Sequence, residues 1–192
     1  AFVIWNDLSV STLGHTYGTH LTSDINDVIA PGTGVPLISN DSDHAGVSIE
    51  KAADGSAIMV WADDRNNDAS DIDVYTQRID TSCNTLWSTP EEGGIPLCVA
   101  DGAQQYAKVT YYSQEASVVV WEDKRDSWNP DIYGQLIEYQ DDDSFSAAYE
   151  NNGHVIASNS ARQINPRVKA SDDGIFVVWE DYRLYNQPDI YI

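Results

Sequence analysis

Short apolar runs separated by turn residues recur along the chain, and their pattern predicts β-strands. Some stretches alternate apolar and polar residues, as in Asp73–Ile79, which is typical of a half-buried strand. Others are apolar without a break and end in tryptophan, which indicates a strand covered on both faces. These uninterrupted runs are Phe2–Trp5, Ile58–Trp61, Val118–Trp121 and Phe176–Trp179. Apolar residues do not recur at a helical period, so we predict an all-β protein.

The four tryptophan runs belong to a longer internal repeat. The tryptophans are 56, 60 and 58 residues apart, and other residue types recur with them. Three tryptophans are followed four residues later by an arginine, namely Arg65, Arg125 and Arg183. An Asp-Ile/Val-Tyr triplet begins at Asp73, Asp131 and Asp189, and a glycine opens a further apolar stretch at Gly34, Gly94 and Gly153. A repeat of about 58 residues with room for four short strands is typical of a β-propeller blade.

The repeat therefore predicts one domain, a β-propeller segment of four-stranded antiparallel blades. The predicted units are a partial blade at 1–46, blades at 47–104 and 105–162, and a partial blade at 163–192. Such a segment holds 14 strands by our count of the pattern, with unpaired edges at both ends. We expect the remaining blades to come from the same chain or from a second copy.

The charge of the chain restricts its partners. It carries 31 Asp and Glu against 10 Lys and Arg, a formal net charge of −21. Such a surface repels phosphate backbones and anionic lipid, so we expect no nucleic-acid partner. No apolar run approaches the ~18 residues of a membrane span, so we expect no membrane insertion. Hydrophobic residues make up 42% of the chain, which argues for a packed core.

The repeat unit W-x-D-x-R…D-I-Y-x-Q, found here between Trp121 and Gln135, resembles the propeller repeats of large secreted bacterial surface proteins. The strand order and the Asp-Gly turns, clearest at Asp54-Gly55 and Asp173-Gly174, are also similar to TolB-like propellers. The resemblance covers the whole chain at the level of the repeat. It implies an extracellular or cell-surface location within a larger protein, and it carries over no catalytic residues. Since fold does not fix function, the role must be argued from individual residues.

Salt bridges are predicted between the recurring arginine and the triplet aspartate. The predicted pairs are Arg65–Asp73, Arg125–Asp131 and Arg183–Asp189. In the first unit both positions change together, to Ser9 and His15, and this joint loss favours the pairing. The alternative is that these are exposed charges contributing about 0–1 kcal/mol each.

One acidic loop is a candidate calcium site, and calcium is the one cofactor that the sequence suggests. Asp64, Asn66 and Asp68 alternate as in an EF-hand loop, and Asp71 follows them. The later EF-hand positions hold Ala69 and Tyr75 in place of Gly and Glu. The alternative is turn chemistry, because Asp and Asn favour tight turns.

The two cysteines, Cys83 and Cys98, lie 15 residues apart within one unit. We predict a disulfide between them, which would contribute about 3 kcal/mol on the chain-entropy model. The alternative is two buried thiols.

The function predicted from the sequence is binding or scaffolding without catalysis. No nucleophilic triad, phosphate loop or dinucleotide fingerprint is visible. Two loops between the second and third strands carry an aromatic residue beside an amide, at Trp128-Asn129 and Tyr185-Asn186, which suits contact with a glycan or a protein at the propeller face. A lectin-like adhesion module is one alternative. A glycoside-active propeller that takes catalytic residues from other blades is the other.

Overall fold

The computed structural model describes residues 1–7, 14–22, 33–66, 71–140, 144–149, 152–184 and 187–192. These residues form fifteen β-strands and no helix, so the predicted all-β class is confirmed. Accordingly, the described part of the chain contains no helix capable of crossing a membrane. The strands make up four antiparallel sheets that follow one another along the chain.

The first two sheets contain three and four strands. The first sheet consists of β1 (Phe2–Asp7), β2 (His15–His20) and β3 (Val35–Ile38). The second consists of β4 (His44–Lys51), β5 (Ala57–Asp63), β6 (Asp73–Ile79) and β7 (Ile95–Cys98). β4 begins three residues before the predicted boundary at residue 47. The turn from β4 to β5 uses the predicted Asp-Gly pair, with Gly55 at φ +93° and Ser56 N donating to Asp54 Oδ1 at 3.0 Å.

The last two sheets contain five and three strands. The third sheet consists of β8 (Gln104–Ser113), β9 (Ala116–Asp123), β10 (Asp131–Tyr139), β11 (Phe145–Ala147) and β12 (His154–Ala157). The fourth consists of β13 (Gln163–Ser171), β14 (Gly174–Asp181) and β15 (Asp189–Tyr191). β11 was not predicted. It forms because β10 is nine residues long, and its outer edge pairs with β12 near Tyr133 and with β11 near Ile137.

Successive sheets pack face to face, and the second strand of each inner sheet is buried on both faces. All residues of β5 are buried. Ile58 and Val60 belong to a core shared with the third sheet, whereas Met59 and Trp61 belong to a core shared with the first. Neighbouring side chains on a strand point to opposite faces, so an apolar run without alternation fills two cores at once. The prediction of strands covered on both faces is confirmed for the runs in β5 and β9, which are buried throughout. In the two outer runs, Val3 is 43% exposed and Phe176 is 47% exposed.

The same direction of packing recurs from sheet to sheet. Trp61 packs with Leu37 of the preceding sheet, and Trp121 packs with Val60 of the preceding sheet. The first strands of successive sheets are also neighbours: β8 contacts both β4 and β13. Each of the two inner sheets therefore presents its tryptophan to the sheet before it and its other face to the sheet after it.

Each of the first strands β4, β8 and β13 contains a bulge near its start. The pairing register shifts between Ala45 and Ser48, between Gln105 and Lys108, and between Ile164 and Arg167. A residue with positive φ lies in each bulge: Gly46 at 67°, Tyr106 at 57° and Asn165 at 56°. A bulge increases local twist and leaves one residue outside the ladder, so its amide is free to contact a neighbouring sheet.

Candidate functional site

The recurring aspartate two residues after each tryptophan organises the end of the second strand. Trp61 Nε1 donates to Asp63 Oδ2 at 3.0 Å, and the backbone N of Arg65 donates to Asp63 Oδ1 at 3.0 Å. The Arg65 guanidinium forms a two-pronged salt bridge with the same carboxylate. Burial is the largest single influence on the pKa of Asp63 and raises it, but the hydrogen bonds from Arg65 and Trp61 outweigh burial, so the pKa is lowered.

The prediction that the arginines pair with the triplet aspartates is wrong. The salt-bridge partners of Arg65, Arg125 and Arg183 are Asp63, Asp123 and Asp181 instead of Asp73, Asp131 and Asp189. The physical reason is that an aspartate ending a strand accepts the backbone N of the residue two positions later, which brings that residue's side chain onto the same carboxylate.

The arginine nonetheless links the second strand to the third and fourth. In the second sheet the Arg65 guanidinium carbon lies 3.8 Å from the ring centroid of Tyr75. In the third sheet the Arg125 guanidinium carbon lies 4.0 Å from the ring centroid of Tyr133. Arg65 Nη1 also donates to Glu92 O at 2.7 Å, and Arg125 Nη2 donates to Asn152 O at 2.7 Å. The recurring arginine and tyrosine are therefore structural.

The aspartate of the Asp-Ile/Val-Tyr triplet and the glutamine two residues after its tyrosine also hold loops in place. Asp131 Oδ1 accepts from Asn159 N at 3.1 Å, which fixes the chain after β12. Gln135, buried at the centre of the third sheet, accepts from Tyr149 N and donates to Tyr149 O, both at 3.0 Å. Gln77 makes the matching contacts with Trp87 N and Ser88 O in the second sheet, both at 2.9 Å. Sequence reasoning assigned no role to these glutamines.

The predicted disulfide is absent, because Cys83 and Cys98 are both free, buried thiols. Cys98 pairs with Val74 at the start of β6, whereas Cys83 lies beyond Ile79 at its end. The intervening five residues of strand span roughly 16 Å, far more than the ~6 Å between Cα atoms that a disulfide allows. The two cysteines accordingly belong to different hydrophobic cores.

The described residues of the calcium candidate do not converge. Asp64 Oδ1 accepts from Asp43 N at 2.7 Å, and Asn66 Nδ2 donates to Asp73 Oδ2 at 3.0 Å. Asp71, at φ 72°, lines a different cavity from Asp64. Among the residues that the structure describes, no group of three or more His, Cys, Asp or Glu could hold a metal ion. Asp68 lies outside the described residues, so the calcium site stays a prediction.

The aromatic loop between β9 and β10 is well held by hydrogen bonds, yet its tryptophan is almost fully solvated. Trp128 is 95% exposed. Ser127 Oγ donates to Asn129 O at 2.7 Å, and Asn129 Nδ2 donates to Ser160 O at 2.8 Å. Tyr133 OH donates to Asp126 Oδ2 at 3.2 Å at the base of the loop. Binding at Trp128 and Asn129 stays a prediction, and Tyr185 and Asn186 lie outside the described residues.

A cleft of about 440 Å³ lies beside Trp128, between the second and third sheets. Its walls combine both signs of charge with an aromatic edge, and they are formed by Asp71, Gly102, Ala103, Lys124, Arg125, Asp126, Ser127 and Trp128. A larger cavity of about 730 Å³ lies elsewhere, along Pro96, Phe145 and Tyr149, and none of the described residues that line it is charged. We regard the Trp128 cleft as the candidate binding site, because mixed polar groups beside an exposed ring give a ligand orientation as well as contact area.

Glu122 makes an interface contact that sequence reasoning missed. Its side chain is buried between the third and fourth sheets, and its Oε1 accepts from Asn165 N at 2.7 Å. Asn165 Nδ2 also donates to Glu180 Oε1 at 3.0 Å. Burial, the largest influence, raises the pKa of Glu122 above its usual value, although the Asn165 hydrogen bond acts in the opposite direction. The signal available in the sequence was the position directly after the tryptophan, which holds Glu in two of the four units.

Comparison with known proteins assigns no family. No family model matches the chain, and no curated protein sequence matches it. Among solved structures, the chain is similar to an α-L-arabinofuranosidase from Lactobacillus brevis, with 12% sequence identity and a TM-score of 0.46. The match covers 98% of this chain and 67% of that one. A likeness at this level supports no conclusion about fold family or activity.

Proposed function

We propose that the chain is a β-propeller segment that serves as a non-catalytic binding module of a secreted or cell-surface protein, and that it binds carbohydrate at the Trp128 cleft. The propeller part of the proposal is supported by four antiparallel sheets in chain order, of which the last three have their first strands β4, β8 and β13 side by side. The location is supported by the resemblance of the repeat to secreted surface proteins.

The exposure of Trp128 is the observation that carries the binding proposal. An indole that is 95% exposed loses nearly all of its possible hydrophobic contacts, yet its loop is fixed on both sides by hydrogen bonds of Ser127 and Asn129. A fixed, exposed aromatic ring offers a flat face to a sugar ring at little conformational cost. Asp71 and Asp126 line the same cleft and supply acceptors for sugar hydroxyls.

Glycan-array binding followed by calorimetry on the best ligand tests this proposal. We expect Trp128→Ala to weaken binding by about tenfold or more, as truncation of a central aromatic contact does. Tyr112→Ala is the matched control, because Tyr112 is 44% exposed and lies on β8, away from the cleft. Tyr112→Ala should bind as the unmodified chain does.

Absence of binding to every glycan on the array would overturn carbohydrate binding and favour the scaffolding role instead. Equal loss of binding in both variants would place the glycan outside the Trp128 cleft. Release of sugar from a bound oligosaccharide would overturn the non-catalytic assignment and favour the glycoside-active alternative.

A further inference from the structure

A second, smaller cavity lies between the second and third sheets, directly beside Ala62. Its volume is about 160 Å³. A cavity of about this size holds one six-membered ring. Its wall combines apolar side chains with two carboxylates, and it consists of Asp43, Ala45, Gly46, Ala62, Asp64, Ile72, Gln105 and Tyr106.

The cavity exists because one side chain is shorter here than at the equivalent position of the next interface. The residue directly after the recurring tryptophan is Ala62 in the second sheet and Glu122 in the third. The Glu122 carboxylate reaches the bulge of the following sheet and accepts from Asn165 N at 2.7 Å. Tyr106 is the bulge residue that corresponds to Asn165, with φ 57° against 56°. The cavity thus corresponds to the space that Glu122 fills between the third and fourth sheets.

This equivalence indicates which groups a ligand would meet. The β8–β9 ladder runs from the pair Gln105–Glu122 to the pair Lys108–Val120, so Tyr106 lies outside it. By analogy with Asn165, the amide of Tyr106 is oriented to donate towards the position of a Glu122-like oxygen. A ligand placed beside Ala62 would therefore present an acceptor to this amide.

The charge around the cavity excludes an anionic ligand. Asp64 and Asp43 both line the wall, whereas the residue corresponding to Asp64 in the third sheet is Lys124. Asp64 Oδ1 accepts from Asp43 N at 2.7 Å, and Oδ2 has no hydrogen-bond partner among the described residues. A hydroxyl group suits such a place, because it accepts from one group and donates to another, whereas a carboxylate would be repelled.

We propose that the cavity beside Ala62 binds one ring of a neutral sugar, with one hydroxyl accepting from the Tyr106 amide and another donating to Asp64. The apolar side chains of Ala45 and Ile72 contact the ring. This inference rests on carbohydrate being the ligand class, and it adds a second subsite. The two sites are adjacent, since Ile72 lines this cavity and its neighbour Asp71 lines the Trp128 cleft.

Saturation-transfer NMR with D-glucose, D-galactose, D-mannose and D-xylose, each tested alone, checks the proposal on the unmodified chain. We expect at least one of them to bind and D-glucuronate to bind about tenfold more weakly, because its carboxylate meets two aspartates. Ala62→Gln should reduce sugar binding by about tenfold or more, because the longer side chain fills the cavity and offers Oε1 to Tyr106. Ala62→Ser, which leaves the space open, is the matched control and should bind normally.

Asp64→Asn provides a second variant should Ala62→Gln fail to fold. It keeps an oxygen for the Asp43 amide and loses the charged acceptor, so we expect binding to weaken by about three- to tenfold. Absence of binding by all four neutral sugars, or unchanged binding by a folded Ala62→Gln or by Asp64→Asn, would overturn the cavity proposal.

The outcome for the cavity is separable from that for the Trp128 cleft. In the Trp128→Ala variant, single sugars should still bind at the Ala62 cavity, because Trp128 does not line it. If single sugars fail to bind while Trp128→Ala still weakens oligosaccharide binding, only the cavity proposal is wrong. If Ala62→Gln blocks single sugars and Trp128→Ala changes nothing, the cavity proposal stands and the Trp128 cleft is wrong.

Discussion

Gly153 lies against the edge of the Trp121 indole. A Cβ atom on Gly153 would come within 2.7 Å of Trp121 Cζ2, a separation that real Cβ atoms do not show. A Cβ atom on Gly94 would likewise come within 2.7 Å of Trp61 Cζ2. Both glycines have φ near +80°, a backbone conformation that other residues adopt rarely. The recurring glycine is thus required by the tryptophan of its own sheet as well as by the backbone.

Gly153→Ala should therefore lower the free energy of unfolding by about 2–4 kcal/mol, the sum of overpacking and positive-φ strain. Urea denaturation measures it. Gly46→Ala is the control, because Gly46 also has positive φ, at +67°, but no described atom lies within 4 Å of its Cβ position. Gly46→Ala should lower the free energy of unfolding by only about 1 kcal/mol. Equal losses in the two variants would mean that contact with Trp121 contributes nothing.

Arg125→Ala should destabilise the chain by about 3 kcal/mol, because it leaves the buried Asp123 carboxylate without its guanidinium partner. A double-mutant cycle in urea separates the possible partners. We expect a coupling energy above about 1 kcal/mol between Arg125 and Asp123, and a value below about 0.5 kcal/mol between Arg125 and Asp131. Strong coupling to Asp131 with none to Asp123 would contradict the structure.

His44 should make stability depend on pH. It occupies the start of β4, where β8 and β13 carry Gln104 and Gln163. Its Nε2 lies 2.9 Å from Ser42 Oγ, and burial, the largest influence, lowers the pKa of His44 below 6.5 although Asp63 acts in the opposite direction. The unfolded chain then takes up this proton at a higher pH than the folded chain does.

The stabilising contribution of neutral His44 is therefore complete above about pH 6.5 and is lost as the pH falls through the folded pKa, with a slope of at most about 1.4 kcal/mol per pH unit. Urea denaturation between pH 7.5 and 5 measures the slope. His44→Gln should flatten it, whereas substitution of the exposed His154 by Gln should leave it unchanged. A slope that persists in His44→Gln would assign the effect to another group.

The two thiols should be unreactive in the folded chain. Burial is the largest influence on both, raising the pKa of Cys83 to about 11 and also raising the pKa of Cys98. Since the thiolate is the reactive form, a thiol reagent at pH 8 should modify neither cysteine rapidly. In guanidinium without reductant it should count two thiols, and a count of zero there would restore the disulfide.

Periodicity alone predicted the all-β class and the two inner strands that are covered on both faces. The run Ile58–Trp61 has no alternation, and the structure buries it between two cores, as the pattern required. Pairing could not be predicted in the same way. Asp63 and Asp73 recur in step with Arg65, so recurrence does not distinguish them, whereas strand geometry favours the aspartate two residues away.

The candidate binding site could be outlined only in part from the sequence, because sequence distance does not reveal which loops meet. Trp128 was identified from its residue type, but its cleft is completed by Asp71 and Gly102, which come from other segments of the chain. The Ala62 cavity was not predictable from its own unit. It becomes visible only when Ala62 is compared with Glu122 and when the bulge at Tyr106 is known.

Because Trp61 packs against the preceding sheet and Val60 against the following one, each hydrophobic core of an inner sheet is completed by residues of a neighbouring sheet. Gene duplication that lengthens such a protein must therefore insert whole units in tandem and in phase. A unit placed elsewhere would carry a tryptophan with no sheet before it, whereas a tandem copy finds a fitting surface on both sides at once.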